Sequence, residues 1–198
     1  MGAIHIEEQL KGRERLLDAA QALFSEHGFT DVSINEIARA AGMTRSAPYY
    51  HFKSKEELYA AVLARYFTGF FEQTKSRVAA AGSFREQLLA IMDVAMLAHG
   101  SSFARSKEDV RAHLSPEVRY AMLSQIPSPS ELLNPVFQEA YETGVYSRTD
   151  PETAQRTFFM MMIGYREMSE KDHENTPRLF RVRPPDPEGF IDIFLLGI

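Results

Sequence analysis

The chain has 198 residues, a formal net charge of −5, 44% hydrophobic and 25% charged residues, and no cysteine. These proportions are ordinary for a soluble globular protein with one or two compact units. The lack of cysteine excludes disulfides and thiolate metal sites. The sequence shows neither a signal-peptide pattern nor the run of roughly 20 apolar residues that a membrane span needs, and we expect a soluble, cytoplasmic protein.

The sequence of the N-terminal third predicts three helices. The first helix ends at a glycine and carries one apolar stripe, which consists of Leu16, Ala20, Leu23 and Phe24. A second helix begins at a capping box of Ser33 and Glu36 and ends at Gly42, since glycine readily takes the left-handed conformation that ends a helix. Thr44 is expected to cap a third, short helix. Two short helices joined by a tight turn outline a helix-turn-helix, whose second helix lies in a DNA major groove.

The remainder of the chain also predicts helices. A long helix over residues 54–81 begins at a capping box of Ser54 and Glu57, and another runs from Ser83 towards Gly100. Four more helices are expected to begin where proline occupies the first helical position, at Ser115-Pro116, Ser128-Pro129, Asp150-Pro151 and Asp186-Pro187. Pro135 either kinks its helix or marks the beginning of that helix after Asn134.

No sustained apolar–polar alternation predicts a strand, so the predicted fold class is all-α with about nine helices. We expect a helix-turn-helix domain over residues 1–53 and a second helical domain over residues 54–198, joined through the long helix. Residues 169–189 are polar and proline-rich, and we expect them to form a long surface connection between the last two helices. Within residues 101–114, Ser106 either caps a helix or lies in a loop.

A local basic segment coincides with the predicted helix-turn-helix. Between Glu36 and Glu56 there is no acidic residue, and the cations there are Arg39, Arg45, Lys53 and Lys55, with His51 able to become one. Phosphate contacts need such a segment at the contact surface and do not require a basic protein overall. The alternative is that these are ordinary solvated charges.

Two C-terminal segments, residues 158–163 and 193–196, are apolar on every side. A helix packed on one core needs a single apolar stripe, so these helices must be covered on two sides. Either they lie in the centre of their own subunit, or one side packs against a second copy across a two-fold axis. We expect the second arrangement, a homodimer.

The sequence resembles the tetracycline-repressor (TetR) family of bacterial transcription regulators. The resemblance rests on three segments in the family's order, LLDAAQALFSEHGF, IARAAGM and YYHFKSKEEL, within roughly residues 13–63. It implies a DNA-binding repressor that leaves a near-palindromic operator when a small hydrophobic ligand binds. The implied partners are double-stranded DNA, that effector and a second copy of the chain.

The resemblance also implies a DNA-contact set. The recognition helix would run from Arg45 to His51, with Arg45 reading guanine or clamping a phosphate. Tyr49 would touch base edges and Lys55 a phosphate, while Phe52 would anchor the recognition helix to the long helix. The whole expected set is Ser33, Asn35, Thr44, Arg45, Ser46, Tyr49, Tyr50, His51, Lys53 and Lys55. Position 48 is proline where the family usually has an aliphatic residue, which predicts that the helix starts a residue or two late or has a distorted first turn.

The predicted second domain, residues 54–198, contains two further sets of candidate residues. Collectively, methionines and aromatics suit an adaptable apolar cavity, although for each residue taken separately plain core is the more common role. The expected effector pocket comprises Met92, Met96, Phe103, Met122, Phe137, Tyr141, Phe159, Tyr165 and Arg166. The expected dimer interface comprises Phe158, Met161, Met162, Phe190 and Phe194, with Gly164 permitting close approach.

An enzyme is the first competing class. The six histidines have no metal-binding spacing, and the sequence has no Gly-rich phosphate loop and no Gly-x-Ser-x-Gly motif. We therefore expect no catalytic residue, no metal and no cofactor. A ligand-binding or protein-interaction module with weakened DNA binding is the other alternative, and Pro48 is the residue that favours it.

Overall fold

A computed structural model of the protein describes residues 2–97, 106–170 and 186–196. Over these ranges the chain is helical and contains no strand, which confirms the all-α prediction. Nine α-helices and one 3₁₀-helix are present in the described ranges: α1 (Gly2–His27), α2 (Ile34–Ala40), the 3₁₀-helix (Ala47–Tyr50), α3 (Lys55–Ala80), α4 (Phe84–Leu97), α5 (Ser106–His113), α6 (Pro116–Leu123), α7 (Pro129–Glu142), α8 (Pro151–Glu170) and α9 (Pro187–Leu196).

The described residues form two compact units. The first comprises residues 2–69 and 106–126, and the second comprises residues 70–97, 127–170 and 186–196. The division falls inside α3, and it assigns α5 and α6 to the same unit as the helix-turn-helix. The predicted domains 1–53 and 54–198 are defined by expected function, and that functional division stays a prediction.

The first unit is held together by one apolar core. Its buried members come from α1, α2, α3 and the α5–α6 region, and they include Leu16, Leu17, Ile37, Leu58, Val62, Leu63, Leu114 and Met122. Arg65 of α3 reinforces the contact with α1, because its guanidinium donates to Asp18 at 2.8 Å, Gln21 at 2.8 Å and Glu14 at 3.2 Å. The core and this network fix α3 on α1.

The second unit has an aromatic core. Phe137 of α7 makes an edge contact with Phe84 of α4 at 5.3 Å between ring centroids, and Phe158 of α8 contacts Phe194 of α9 at 5.2 Å. Aromatic pairs favour such edge-to-face geometry. On the outside, Arg85 of α4 is tied to Asp192 of α9 at 2.8 Å.

The helix starts follow the predicted caps. All four serine-proline or aspartate-proline steps open a helix, at Pro116, Pro129, Pro151 and Pro187. The capping boxes at Ser54 and Ser83 differ from the standard one, because the glutamate carboxylate accepts from the residue before the serine. Glu57 accepts from Lys53 N–H at 2.6 Å and Glu86 from Gly82 N–H at 2.7 Å, while each serine Oγ accepts from the glutamate N–H. Local side-chain chemistry therefore sets these boundaries.

Two of the sequence alternatives are decided by the structure. α7 runs continuously from Pro129 to Glu142 with Pro135 inside it, so the expectation that the helix begins after Asn134 is wrong. Ser106 is the first residue of α5, whereas residues 98–105 and 171–185 lie outside the described residues. Within the described part of the chain, no helix combines the length and the apolar character needed to cross a membrane.

Gly42 carries the turn after α2. Its φ is +67°, and apart from its chain neighbours no described atom lies within 4 Å of the position that a Cβ would take. The backbone conformation alone therefore requires glycine there. Gly42→Ala should lower the free energy of unfolding by about 1 kcal/mol, measured by urea denaturation followed by circular dichroism. Gly69→Ala is the matched control in the open interior of α3, where alanine should stabilise by roughly 0.5–1 kcal/mol. Equal effects of the two substitutions would contradict this account of the turn.

Candidate nucleic-acid interface

α2 is fixed at both ends by its own sequence. At its start, Ser33 Oγ accepts from Glu36 N–H at 3.2 Å and the Glu36 carboxylate accepts from Ser33 N–H at 2.8 Å, as predicted. At its end, Met43 N–H donates to Ala38 C=O at 2.8 Å and Gly42 N–H donates to Arg39 C=O at 3.1 Å. This pair of bonds is the Schellman arrangement that terminates a helix at glycine. A short helix of seven residues is thereby given defined ends.

The recognition element differs from the predicted helix. It is a 3₁₀-helix over Ala47–Tyr50, preceded by Ser46, whose side chain makes no capping hydrogen bond. The expectation that Thr44 caps the helix is wrong, since the Thr44 hydroxyl lies 3.4 Å from Ser46 Oγ instead. The late start is the outcome that the proline at position 48 predicted.

Pro48 gives the physical reason for this geometry. Proline has no N–H for an α-helical bond to the Thr44 carbonyl, and its ring crowds that carbonyl. The chain therefore makes three-residue bonds, Ala47 N–H to Thr44 C=O at 3.1 Å and Tyr49 N–H to Ser46 C=O at 3.2 Å. Pro48 itself is buried, and its carbonyl accepts from His51 N–H at 3.0 Å.

The element displays its tyrosines to solvent. Tyr49 is 57% exposed and Tyr50 is 85% exposed, which leaves both rings accessible. The exposed members of the predicted DNA-contact set are Ser33, Asn35, Thr44, Arg45, Ser46, Tyr49, Tyr50 and Lys53. His51 and Lys55 are half-buried. All ten residues lie in the first unit.

Phe52 anchors the element to the core, as predicted. It is 5% exposed, and the Arg13 guanidinium of α1 lies 5.3 Å from its ring centroid. A Cβ at Gly12 would lie 3.4 Å from His51 Nε2, so α1 passes close beneath His51. Nothing in the local sequence around Gly12 and Arg13 indicates these contacts, because their partners His51 and Phe52 lie more than thirty residues away in the chain.

Lys55 is held in place rather than extended into solvent. Its Nζ donates to Thr30 C=O at 3.3 Å and lies 4.3 Å from the ring centroid of Phe29. Burial lowers the pKa of Lys55, while the negative charges of Asp31 and Glu36 oppose that shift. Neither Phe29 nor Thr30 belongs to the predicted contact set.

The first turn of α3 is also tied to α6. The carboxylate of Glu56 accepts a hydrogen bond from Ser115 N–H, at the residue that caps α6. His113, two residues earlier, stacks on Phe29 with 4.7 Å between ring centroids. These two contacts join the recognition side of the first unit to the α5–α6 junction.

The predicted effector residues that the structure describes fall in both compact units. Met92, Phe137, Phe159 and Tyr165 belong to the second unit, and the first two are fully buried in its core. Met122 belongs to the first unit, where it borders a cleft of about 520 Å³. Tyr141 is 44% exposed. The side chains of Met96, Phe103 and Arg166 lie outside the described residues.

The predicted dimer residues also have different environments. Phe158, Phe190 and Phe194 are buried in the core of the second unit, with exposures of 0%, 7% and 7%. Met161 and Met162 are partly buried against the same core. Among the described side chains of α8 and α9, the exposed large apolar ones are Met160, Ile193 and Leu196.

In the described ranges, no group of three or more His, Asp or Glu side chains is placed to hold a metal ion.

Comparison with known proteins identifies the family. Residues 16–62 match the family model for "Bacterial regulatory proteins, tetR family". The transcriptional repressor KstR2 of Rhodococcus jostii is 31% identical over 149 residues, which cover 73% of this chain and 72% of that protein. This chain belongs to the TetR family, and its recognition region is a family helix-turn-helix.

Two other comparisons define how far the likeness extends. The regulator AcrR of Shigella flexneri is 45% identical over 56 residues, and the match spans 28% of this chain and about a quarter, 26%, of that protein. A TetR/AcrR-family regulator of Thermobifida fusca has the same fold over 93% of this chain and 97% of its own, with a TM-score of 0.66 and 25% identity. The match of higher identity thus covers about a quarter of this chain, whereas the fold is shared over 93% of it.

The capping box of α2 predicts that the stability of the fold depends on pH. Hydrogen bonds from the Ser33 side chain and backbone lower the pKa of Glu36 below its ordinary value of 4.5. A carboxyl whose folded pKa is lowered stabilises the fold above its unfolded pKa and loses that contribution as the pH falls through the folded value. Glu36→Gln should therefore unfold more easily than the wild type at neutral pH, and the difference should close below pH 4.5.

The measurement is thermal unfolding at a series of pH values. Glu72→Gln, on the exposed side of α3, controls for removal of one negative charge from the surface. A difference between Glu36→Gln and the wild type that persisted unchanged at the lowest pH would show that the charge of Glu36 does not support the cap.

Proposed function

We propose that this protein is a DNA-binding transcriptional repressor that leaves a near-palindromic operator when a small hydrophobic ligand binds. The observation that carries the proposal is the pair of exposed rings, Tyr49 and Tyr50, on a turn that is held by three-residue backbone hydrogen bonds, a buried proline and the Phe52 anchor. Exposed aromatic rings on a rigid element are suited to contact with a binding partner such as DNA rather than to core packing. The protein would act in the cytoplasm, where the DNA lies.

The roles within the interface follow from side-chain chemistry. Arg45 has the planar donors that suit guanine O6 and N7 or a phosphate, and Tyr49 can meet base edges or a thymine methyl. The start of α2, with Ser33 and Asn35, would meet the DNA backbone, to which a helix N-terminus offers partial positive charge. Lys53 and Lys55 would contact phosphates.

Release by a ligand would act through α3. This helix is continuous from Lys55 to Ala80 and contributes residues to both compact units. A ligand that shifts α3 would move Phe52 and Leu58, and with them the recognition element. The two copies in a dimer would then no longer match successive major grooves about 34–36 Å apart. A coupling of about 1–3 kcal/mol would weaken DNA binding roughly 5–150-fold.

The first test is selection of random DNA duplexes by the purified protein at moderate salt. The wild type should enrich a near-palindromic sequence, and Tyr49→Ala should weaken binding to that sequence by about 5–150-fold, because a good base contact contributes roughly 1–3 kcal/mol. Tyr120→Ala is the matched control, since Tyr120 of α6 is 77% exposed but lies outside the contact set.

A ligand-binding module with weakened DNA binding is the second candidate. The observation that favours it is the recognition element itself, which is a single 3₁₀ turn of four residues instead of an α-helix. Failure of the folded wild-type protein to enrich any sequence would overturn the repressor and favour this candidate.

A homodimer through α8 and α9 belongs to the same proposal. On these helices Met160 is 67% exposed, Ile193 is 41% exposed and Leu196 is 59% exposed, and the Gly164 surface is open. These residues, rather than the buried Phe158, Phe190 and Phe194, are the ones available to a second copy. A two-fold axis would bring the same helices of both copies together.

Met160→Glu and Ile193→Glu should each convert the dimer to a monomer, because an unpaired charge buried in an interface costs several kcal/mol. The measurement is sedimentation equilibrium. Val145→Glu is the control, since the exposed fraction of Val145 is 66%, similar to the 67% of Met160, but Val145 lies after α7. Phe194→Glu is unsuitable because it would disrupt the core of its own unit. Dimers retained by both variants would place the interface elsewhere.

A further inference from the structure

Phe29 lies where three parts of the first unit meet. It follows the glycine that ends α1, and its ring is 5.0 Å from Tyr59 of α3 and 4.7 Å from His113 at the end of α5, measured between centroids. The His113 ring is inclined by only 23° to that of Phe29, which is a stacked geometry. The Nζ of Lys55 lies over the same ring at 4.3 Å.

This arrangement fixes the position of the Lys55 ammonium group. A cation over an aromatic face is attracted by the negative charge of the ring face, and the attraction is stronger where water is partly excluded. Lys55 is half-buried, and the carbonyl of Thr30 accepts one of its three donors at 3.3 Å. The other donors remain for an incoming phosphate.

We propose that Phe29 and His113 are positioning residues for the contact between Lys55 and a DNA phosphate. Lysine is a flexible side chain, and a lysine that must be ordered when DNA arrives binds more weakly than one already in place. Phe29 provides the surface on which Lys55 is held, and His113 fixes the ring of Phe29 from the α5–α6 side. The proposal rests on the proposed DNA-binding function.

The contacts next to the stack agree with this role for the α5–α6 junction. Leu114, beside His113, is 4% exposed in the core, and Ser115 N–H donates to the carboxylate of Glu56. Glu56 is the residue after Lys55. The junction therefore contacts the first turn of α3 both through the ring of Phe29 and through the side chain next to Lys55.

The test is a set of double-mutant cycles on DNA affinity, with the selected operator as probe. Phe29→Leu and His113→Ala should each weaken binding about three- to tenfold, the range expected when one long side chain must be ordered on binding. In a Lys55→Gln background neither substitution should weaken binding further. His113→Phe, which keeps a stacked ring, should bind like the wild type. Phe67→Leu makes the same change elsewhere against the same core and should show no such coupling.

Salt dependence distinguishes positioning from the contact itself. Lys55→Gln should reduce the slope of log affinity against log salt concentration by about one, because one phosphate contact is lost. Phe29→Leu and His113→Ala should leave the slope unchanged, since the lysine still reaches the phosphate. A general loss of structure would lower affinity equally in both lysine backgrounds.

A measurement without DNA gives an independent readout. The ring current of Phe29 should shift the ε-methylene protons of Lys55 upfield from those of exposed lysines in the NMR spectrum, with Lys55→Gln supplying the assignment. Phe29→Leu should abolish this shift and His113→Ala should reduce it.

Three results would overturn the inference: unchanged affinity in both positioning variants, equal losses with and without Lys55, or no upfield shift in the wild type. A protein that binds DNA but gives any of these results would retain the proposed function and lose only the positioning role. A wild-type protein that binds no DNA would overturn the proposed function and this inference together.

Discussion

The packing of α3 on α1 is the constraint on which the recognition side depends. Leu58, Val62 and Leu63 of α3 are fully buried in the core that α1 shares. Arg65 adds a network of three partners on α1, and such a network contributes more than an isolated exposed pair. Because Phe52 joins this core directly, the exposed turn before it is held at a fixed position on the surface. An exposed turn of this length could not hold its own geometry in water.

The sequence predicts the features that depend on neighbouring residues. The caps at Ser33 and at the four proline starts are decided within one helical turn, so both their position and their chemistry could be inferred. The stack of His113 on Phe29 joins residues that lie 84 positions apart in the chain. Nothing in either local segment indicates that pairing, and the role of Phe29 beneath Lys55 was missed for the same reason.

The apolar runs in α8 and α9 show a different limit. A segment that is apolar on every side indicates that both faces are covered, but it does not indicate which residues face inward. Phe158 and Phe194 face their own core because their rings pack with Phe137, whereas Met160 is left outside. Helical spacing determines the directions in which the side chains point relative to one another. Packing against other helices then determines which of these side chains face the core.

Pro48 changes what the recognition element can present to DNA. In a 3₁₀-helix residues three apart lie on one line, so Ser46 and Tyr49 share a side while Ala47 and Tyr50 share another. The two tyrosines therefore point about 120° apart, a wider separation than the roughly 100° of an α-helix. Arg45 lies before the 3₁₀-helix, so the helical repeat does not determine the direction of its side chain. If the proposed function holds, an element of this shape would read DNA mainly through two aromatic rings. Its phosphate contacts would then come from groups held by the surrounding core, such as Lys55 on Phe29.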